Sequence, residues 1–170
     1  MAKANKLKII PLGGLGEIGK NITVFEYKND IIIIDCGMTF PEDEMLGVDI
    51  VIPDITYLIK NKEKIKGLIL THGHEDHVGA IPYVLKKINV PIYGTKLTLG
   101  LLNTKLKEHN LGDVELNVVT AGDSIKLGEF QIEFIRTNHS IPDSVALAIH
   151  TNVGTIVHTG DFKIDYTPIS

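Results

Sequence analysis

Apolar and polar positions follow two different rhythms along this chain, and the rhythm changes near Gly112. Before it, short β-branched runs alternate with helix-period runs. Residues 6–12 read as a strand leading into a glycine-rich turn. Residues 22–27 alternate, with Ile22 and Val24 on one side and Thr23 and Phe25 on the other. A polar Lys28-Asn29-Asp30 turn and a buried strand over 31–35 complete a predicted hairpin. Residues 39–53, rich in Pro, Asp, Glu and Gly, are too long for a simple turn and are read as a functional loop. Asp54 is placed to cap a short helix over 55–61. Residues 67–70 predict a buried strand ending at Thr71. Val78, Ile81, Val84, Leu85 and Ile88 recur at helical spacing, so one helix is expected over 77–88, with Pro82 near its start. A short strand over 91–94 and a second helix over 95–109 follow. After Gly112 the helical signal fades. Five short strands are expected, over 114–119, 124–127, 130–136, 145–151 and 155–158.

This order implies a helix-covered sheet and a second, β-rich layer that needs cover of its own. There is no internal repeat and no linker. Residues 165–170 supply no closing element, so the chain is read as part of something longer.

Composition narrows the function classes. The 170 residues are 44% hydrophobic and 22% charged, which excludes a disordered chain. Seventeen basic against 21 acidic residues give a net charge of −4, so no global positive field announces a polyanion partner. Such a partner would have to be held by local charge, for instance on metal ions. Cys36 is the only cysteine, which excludes a disulfide framework and fits a reducing cytoplasm. The first six residues lack the apolar core of a signal peptide. The unbroken apolar run over 31–34 is far too short to cross a bilayer, so no membrane partner is expected.

Two motifs carry candidate chemistry. Gly14-Leu15-Gly16-Glu17-Ile18-Gly19 matches the dinucleotide fingerprint by letter. That mechanism needs a helix directly afterwards to hold the pyrophosphate, and a strand follows instead. The motif is therefore read as a glycine turn, in its functional version beside an active site. The stronger signal is Thr71-His72-Gly73-His74-Glu75-Asp76-His77, where a buried strand gives way to a helix. Imidazole and carboxylate are ligands of zinc and similar ions. His72 and His74, two apart in an extended turn, can converge on one ion, while Asp76 and His77 can face a second position nearby. His139 and Asp161 each follow a predicted strand and join the candidates by that shared context. Glu75 is read as solvated and Cys36 as a small core residue. His109, His150 and His158 are read as structural. Asp35 is either a turn cap or a group orienting a ligand histidine.

His72-x-His74-x-Asp76-His77, then His139, then Asp161, preceded by Asp35 at an early strand end, resembles the metallo-β-lactamase superfamily. The stretches 11–21, 34–38, 138–144 and 158–163 further resemble the bacterial ribonucleases of its β-CASP branch. The resemblance implies an α/β fold: the first half of an αββα sandwich, with mixed sheets and helices on the outer face. It implies that residues 1–170 are the N-terminal part of a metallo-β-lactamase domain. The β-CASP domain, the C-terminal part and a further metal-binding histidine would lie elsewhere. It also implies two divalent ions, zinc first and manganese second. His72, His74 and His139 would hold one, Asp76 and His77 the other, and Asp161 would bridge. Asp76 and Asp35 are its catalytic candidates. The implied reaction is hydrolysis of RNA phosphodiester bonds, exo- and endonucleolytic, in RNA maturation and decay. RNA, a second copy of the chain and other RNA-decay enzymes are the implied partners. The competing reading is a small-molecule hydrolase on the same fold, a thioesterase or lactonase. A non-catalytic zinc or RNA-binding module is a third, and a His/Asp set without Cys ligands speaks against it.

Overall fold

The computed structural model describes residues 6–166. The readings made on the first residues and on the end of the chain fall wholly or partly outside that range. Among the described residues two sheets stack. The first has six strands in sequence order: β1 (Leu7–Gly13), β2 (Ile22–Tyr27), β3 (Asp30–Ile34), β4 (Ile65–Ile69), β5 (Ile92–Gly94) and β6 (Leu116–Val118). β1 to β3 run antiparallel, and β3 to β6 run parallel. The second sheet has four antiparallel strands: β7 (Ser124–Leu127), β8 (Phe130–Arg136), β9 (Val145–Thr151) and β10 (Gly154–His158). The expected strands and hairpin are all present, displaced by a few residues at their ends.

Alternation explains the layering. Ile31 and Ile33 face the helices, while Ile32 and Ile34 face the second sheet. On the first side they meet Leu58 of α1 (Thr56–Lys60) and Leu99, Leu102 and Leu106 of α4 (Lys96–Glu108). On the second they meet Phe130, Phe134, Leu147 and Ile149. A strand buried on both faces reads as an unbroken apolar run, which is why 31–34 shows no alternation in the sequence. Phe130 and Phe134 are fully buried. Truncating either to alanine would cost roughly 3–5 kcal/mol. The inner face of the second sheet is thus covered by the first sheet, not by another copy. Its outer face carries the exposed Ile135 and Val157, and no described helix covers it.

The single helix expected over 77–88 is two short ones, α2 (Glu75–Val78) and α3 (Ile81–Leu85). Pro82 causes the break: it offers no N–H to the Val78 carbonyl, and its ring crowds that carbonyl. The Ala80 N–H turns instead to the Cys36 carbonyl at 3.0 Å. A helical repeat of apolar residues therefore survives across a gap in the backbone helix. Ile55, not Asp54, holds the N-cap position of α1; Asp54 lies one residue earlier, where its Oδ1 accepts from the Thr56 N–H at 2.8 Å.

Both sheets present a working edge on the same side. β3 and β4 are parallel, so the residues after them, Asp35 and Thr71, are neighbours. β2 is antiparallel to β3, so the residue before it, Asn21, arrives there too. In the second sheet the end of β8, the start of β9 and the end of β10 are level. The Val145 N–H to Thr71 carbonyl bond, 3.0 Å, joins the two edges.

Candidate metal centre

The turn after β4 is held by backbone on both sides. The Cys36 N–H donates to the His77 carbonyl at 2.7 Å and the Met38 N–H to the Glu75 carbonyl at 3.1 Å. The Asn21 N–H donates to the Asp76 carbonyl at 3.0 Å, and the Gly37 N–H to the Asn21 carbonyl at 3.0 Å. Gly37 permits this closeness, since a Cβ there would overlap the Asp76 carbonyl. The chain after β3 thus lies between two other segments and fixes where the motif's side chains point.

Asp35 orients two of those side chains. It is 2% exposed and adopts φ of 59°, a left-handed conformation that aspartate tolerates better than most residues. Its Oδ1 accepts the Thr71 N–H at 2.8 Å. Its Oδ2 accepts the Thr71 hydroxyl at 2.8 Å and lies 2.8 Å from His77 Nδ1. The Thr71 hydroxyl has one proton and gives it to Asp35, so at 3.0 Å it accepts from His72 Nδ1. His72 therefore carries its proton on Nδ1, and both His72 and His77 turn Nε2 toward the other candidate ligands. Of the two readings of Asp35, the orienting one fits. It acts through His77 and Thr71.

Six side chains converge beyond these anchors. His72 Nε2 lies 3.1 Å from His74 Nδ1, which lies 3.2 Å from His139 Nε2. Asp161 sets one oxygen toward each half of the cluster: Oδ1 is 3.5 Å from His77 Nε2, and Oδ2 is 3.7 Å from His139 Nε2. Two trios have donor atoms that all lie within 4.8 Å of one another, His72 with His74 and His139, and His72 with His77 and Asp161. Asp76 completes the cluster, with Oδ2 at 3.5 Å from His77 Nε2. The fold therefore gathers all six proposed ligands. His139 and Asp161, placed by strand-end context alone, are tied by the Lys163 N–H donating to the Asn138 carbonyl at 2.7 Å.

The donor set suits a cation. Ligand bonds of about 2.0–2.1 Å in tetrahedral geometry put donor atoms about 3.3 Å apart, close to the 3.1 and 3.2 Å found here. Three ring nitrogens brought this close cannot all satisfy one another by hydrogen bonds, because each proton serves one pair.

Burial and charge sort the rings. Burial drives His72 down to about 4, helped by the neighbouring His77, so it stays neutral and ready to ligate. Burial also disfavours charge on His77, but hydrogen bonds to Asp35 and Asp76 outweigh it and hold the ring near 10. The same His77 contact lowers Asp76 and keeps it ionised. Burial lowers His139, partly offset by Asp161.

The remaining histidines stand apart from both trios. His109 ends α4 with its ring edge-on to Tyr83 at 5.0 Å. His150 meets the Thr155 hydroxyl at 2.9 Å. His158 accepts the Gly160 N–H at 3.2 Å. Glu75 differs from expectation: it is not simply solvated but pairs with Lys105 of α4. Cys36 is buried in the helix-side core, where desolvation pushes its thiol up. Two residues were missed at the site. Thr71 could have been found as the hydroxyl that opens the motif, and Asn21 as the polar residue closing the glycine turn. That turn is followed by β2, so the dinucleotide match is false and the reading of a turn beside the site fits. The loop over 39–53 touches the glycine turn, with Thr39 Oγ1 donating to the Ile18 carbonyl at 3.3 Å.

Comparison with known proteins agrees with the fold. The family model described as metallo-beta-lactamase superfamily matches residues 15–167. A protein named Ribonuclease J from Synechocystis is 54% identical over 166 residues, covering 96% of this chain and 26% of the relative. One of the same name from Thermus thermophilus is 52% identical over 171 residues, covering 96% and 30%. The chain thus spans less than a third of the length of these curated relatives. A crystal structure of a protein of unknown function from Enterococcus faecalis superposes with a TM-score of 0.74 at 22% identity, covering 94% of this chain and 44% of that one. That likeness concerns the fold alone.

Proposed function

The chain belongs to the metallo-beta-lactamase superfamily, and from that premise we propose that it is the N-terminal, metal-holding part of a ribonuclease that hydrolyses RNA phosphodiester bonds. The observation that carries the reading is the convergence of the His72, His74 and His139 donor atoms, with His77, Asp161 and Asp76 gathered directly beside them. Relatives named Ribonuclease J, about half identical over nearly the whole chain, support RNA as the substrate. The superfamily implies divalent metal ions. In our reading His72, His74 and His139 hold the first, Asp76 and His77 the second, and Asp161 reaches both. Three imidazoles favour zinc, with manganese the second choice where carboxylates contribute.

Two such ions would lower the pKa of a water molecule and offset charge on the phosphoryl oxygens. The protein's own groups do the rest. Asp76, ionised by its contact with His77, accepts the proton of the attacking water. Asp161 faces both halves of the cluster and fixes their spacing. Asp35 and Thr71 keep the Nε2 atoms of His77 and His72 aimed inward. In this assignment Asp35 is a positioning residue, and Asp76 is the one that meets the reacting atoms.

Exonucleolytic and endonucleolytic action, a β-CASP domain and C-terminal part encoded elsewhere, a cytoplasmic location and contact with other RNA-decay enzymes belong to the same reading. No helix among the described residues is long and apolar enough to cross a membrane. Exposed Ile135 and Val157 support self-association through the outer face of the second sheet. Residues 1–170 alone should fill the first metal position better than the second and turn over little RNA.

The test uses the full-length protein. A 5′-monophosphorylated RNA oligomer is offered beside a panel of thioesters and lactones, with His74→Ala and Asp161→Ala as variants. Cleavage of RNA by the parent, lost at least 100-fold in both variants, is expected. Turnover of a thioester or lactone without RNA cleavage would establish the small-molecule alternative.

A further inference from the structure

The glycine turn over 13–21 is the feature of the sequence that the metal cluster leaves unexplained. Its backbone folds back sharply. The Gly14 N–H donates to Glu17 Oε1 at 3.1 Å, and Glu17 Oε2 pairs with the Lys20 ammonium at 2.8 Å, closing a small ring. Gly14 sits at φ of 85°, and a Cβ there would lie 2.6 Å from Asn21 Oδ1. A side chain at Gly14 would therefore push on the Asn21 amide. The other end of that amide points into the cluster. Asn21 Nδ2 lies 3.1 Å from both the carbonyl and the Oδ2 of Asp76, and 3.1 Å from His77 Nε2. Both Asp76 atoms are acceptors, so the group facing them is the amide nitrogen, with its two protons. The Asn21 backbone is fixed independently by the Asp76 carbonyl and the Gly37 N–H.

We propose that Asn21 is a positioning residue for the Asp76–His77 half of the metal centre, and that the glycine turn exists to present its amide there. The amide holds one carboxylate oxygen of Asp76 and thereby sets the direction of the other. Its nitrogen also packs against the ring nitrogen of His77 that would ligate. Groups in this second layer typically change metal affinity or activity by 10–100-fold when removed. Asn21 touches only one half of the cluster, so its loss should weaken one ion and spare the other. This inference rests on the two-ion reading above.

The experiment titrates metal-free full-length protein with Mn²⁺, and separately with Zn²⁺, by calorimetry. The parent should show two equivalents. In Asn21→Ala the weaker equivalent should lose about 10–100-fold in affinity. The tighter one, and the melting temperature of the metal-free protein, should stay within error. Asn21→Ser, which keeps one donor, should fall between. Gly14→Ala changes no group at the centre and should reproduce the selective loss by displacing the amide. Leu15→Ala, at an exposed position of the same turn, should bind both ions as the parent does. Equal weakening of both ions in Asn21→Ala, or no weakening in a folded Asn21→Ala or Asn21→Ser, overturns the role of Asn21 while leaving the two-ion reading intact. Should the parent bind fewer than two ions, the two-ion reading fails, and this inference with it.

Discussion

Two buried carboxylates on adjoining strands of the first sheet have opposite fates. Glu26 on β2 is 6% exposed and is met by Lys8 at 2.7 Å, Lys64 at 3.3 Å and the Tyr57 hydroxyl at 2.6 Å. Asp35, one residue past β3, is 2% exposed and is met by Thr71 and His77. Around Glu26 the charge is answered and the network stops, pinning α1 and the turn after it to the sheet. Around Asp35 each partner has another polar atom to offer. The Thr71 hydroxyl passes the interaction to His72 Nδ1, and His77, anchored through Nδ1, turns Nε2 toward Asn21, Asp76 and Asp161. A buried carboxylate closed by lysines and a phenol secures structure, whereas one answered by an imidazole and a threonine that each reach a further partner aims other groups. Both lie at strand level in the same sheet, so partner chemistry separates them.

The largest effect should follow Asp35→Ala. It strands the Thr71 N–H, the Thr71 hydroxyl and the His77 Nδ1 proton in a buried site, where each orphaned donor costs about 1–3 kcal/mol. Allowing for relaxation, a stability loss of about 3 kcal/mol is expected by urea denaturation. Metal affinity in the full-length protein should fall at least 10–100-fold for both ions, because both His72 and His77 lose their anchors. Stable protein with unchanged metal affinity would erase the contrast.

Glu26→Gln should affect stability alone, by about 2 kcal/mol, with metal binding untouched. Its pH dependence gives an independent check. Burial alone would raise the carboxyl, but the hydrogen bonds from Lys8, Tyr57 and Lys64 prevail and hold it at about 2 in the folded protein, against an ordinary 4.5. The depressed value means that the folded state favours the ionised form. The stabilisation is therefore fully present above about pH 5 and is lost as pH falls through 4.5 toward 2. With Lys8 and Lys64 partly in water, the contribution is about 2 kcal/mol. The parent should lose that stability relative to Glu26→Gln as acid is added. Parallel curves for the two proteins would remove Glu26 as the cause.

Thr71→Val probes the link between Asp35 and His72. It keeps the shape and the backbone N–H to Asp35 but deletes the hydroxyl. A loss of about 1 kcal/mol and about 10-fold in affinity is expected, confined to the ion that depends on His72 more than on His77. Equal weakening at both positions would mean that His72 is not oriented through Thr71.

The same contrast explains what was legible in the sequence. Strand and helix positions followed from apolar rhythm, because each face of the first sheet buries alternate residues. The cluster over 72–77 was legible because its ligands are close in sequence. His139 and Asp161 were reachable because strand ends recur at one edge. The roles of Thr71, Asn21 and Glu75 were not, since an ordinary polar residue reveals its partner only once distant strands are paired. The break at Gly79-Ala80 was hidden for another reason. Apolar spacing continued through it, while Pro82, a local signal, was weighed as a tolerated start of one helix and not as the start of a second.

Glu75 offers the smallest test, since it sits between the two cases. It lies inside the metal motif yet is answered by a lysine, Lys105 of α4, as Glu26 is. By partner chemistry it belongs with Glu26 and should serve structure, not the centre. Its pair is partly exposed, so solvent screens it and α4 retains its own packing through Leu99, Leu102 and Leu106. Lys105→Ala should therefore cost no more than about 1 kcal/mol. The cost should shrink with added salt, because a partly exposed pair is screened. The backbone bonds from Met38 and Gly79 to the Glu75 carbonyl, at 3.1 and 2.7 Å, remain and keep the motif turn in place. Metal affinity should be unchanged. A tenfold loss of affinity in Lys105→Ala without a matching loss of stability would place α4 among the elements that aim the centre. Closure by a lysine would then no longer distinguish a structural carboxylate from a functional one.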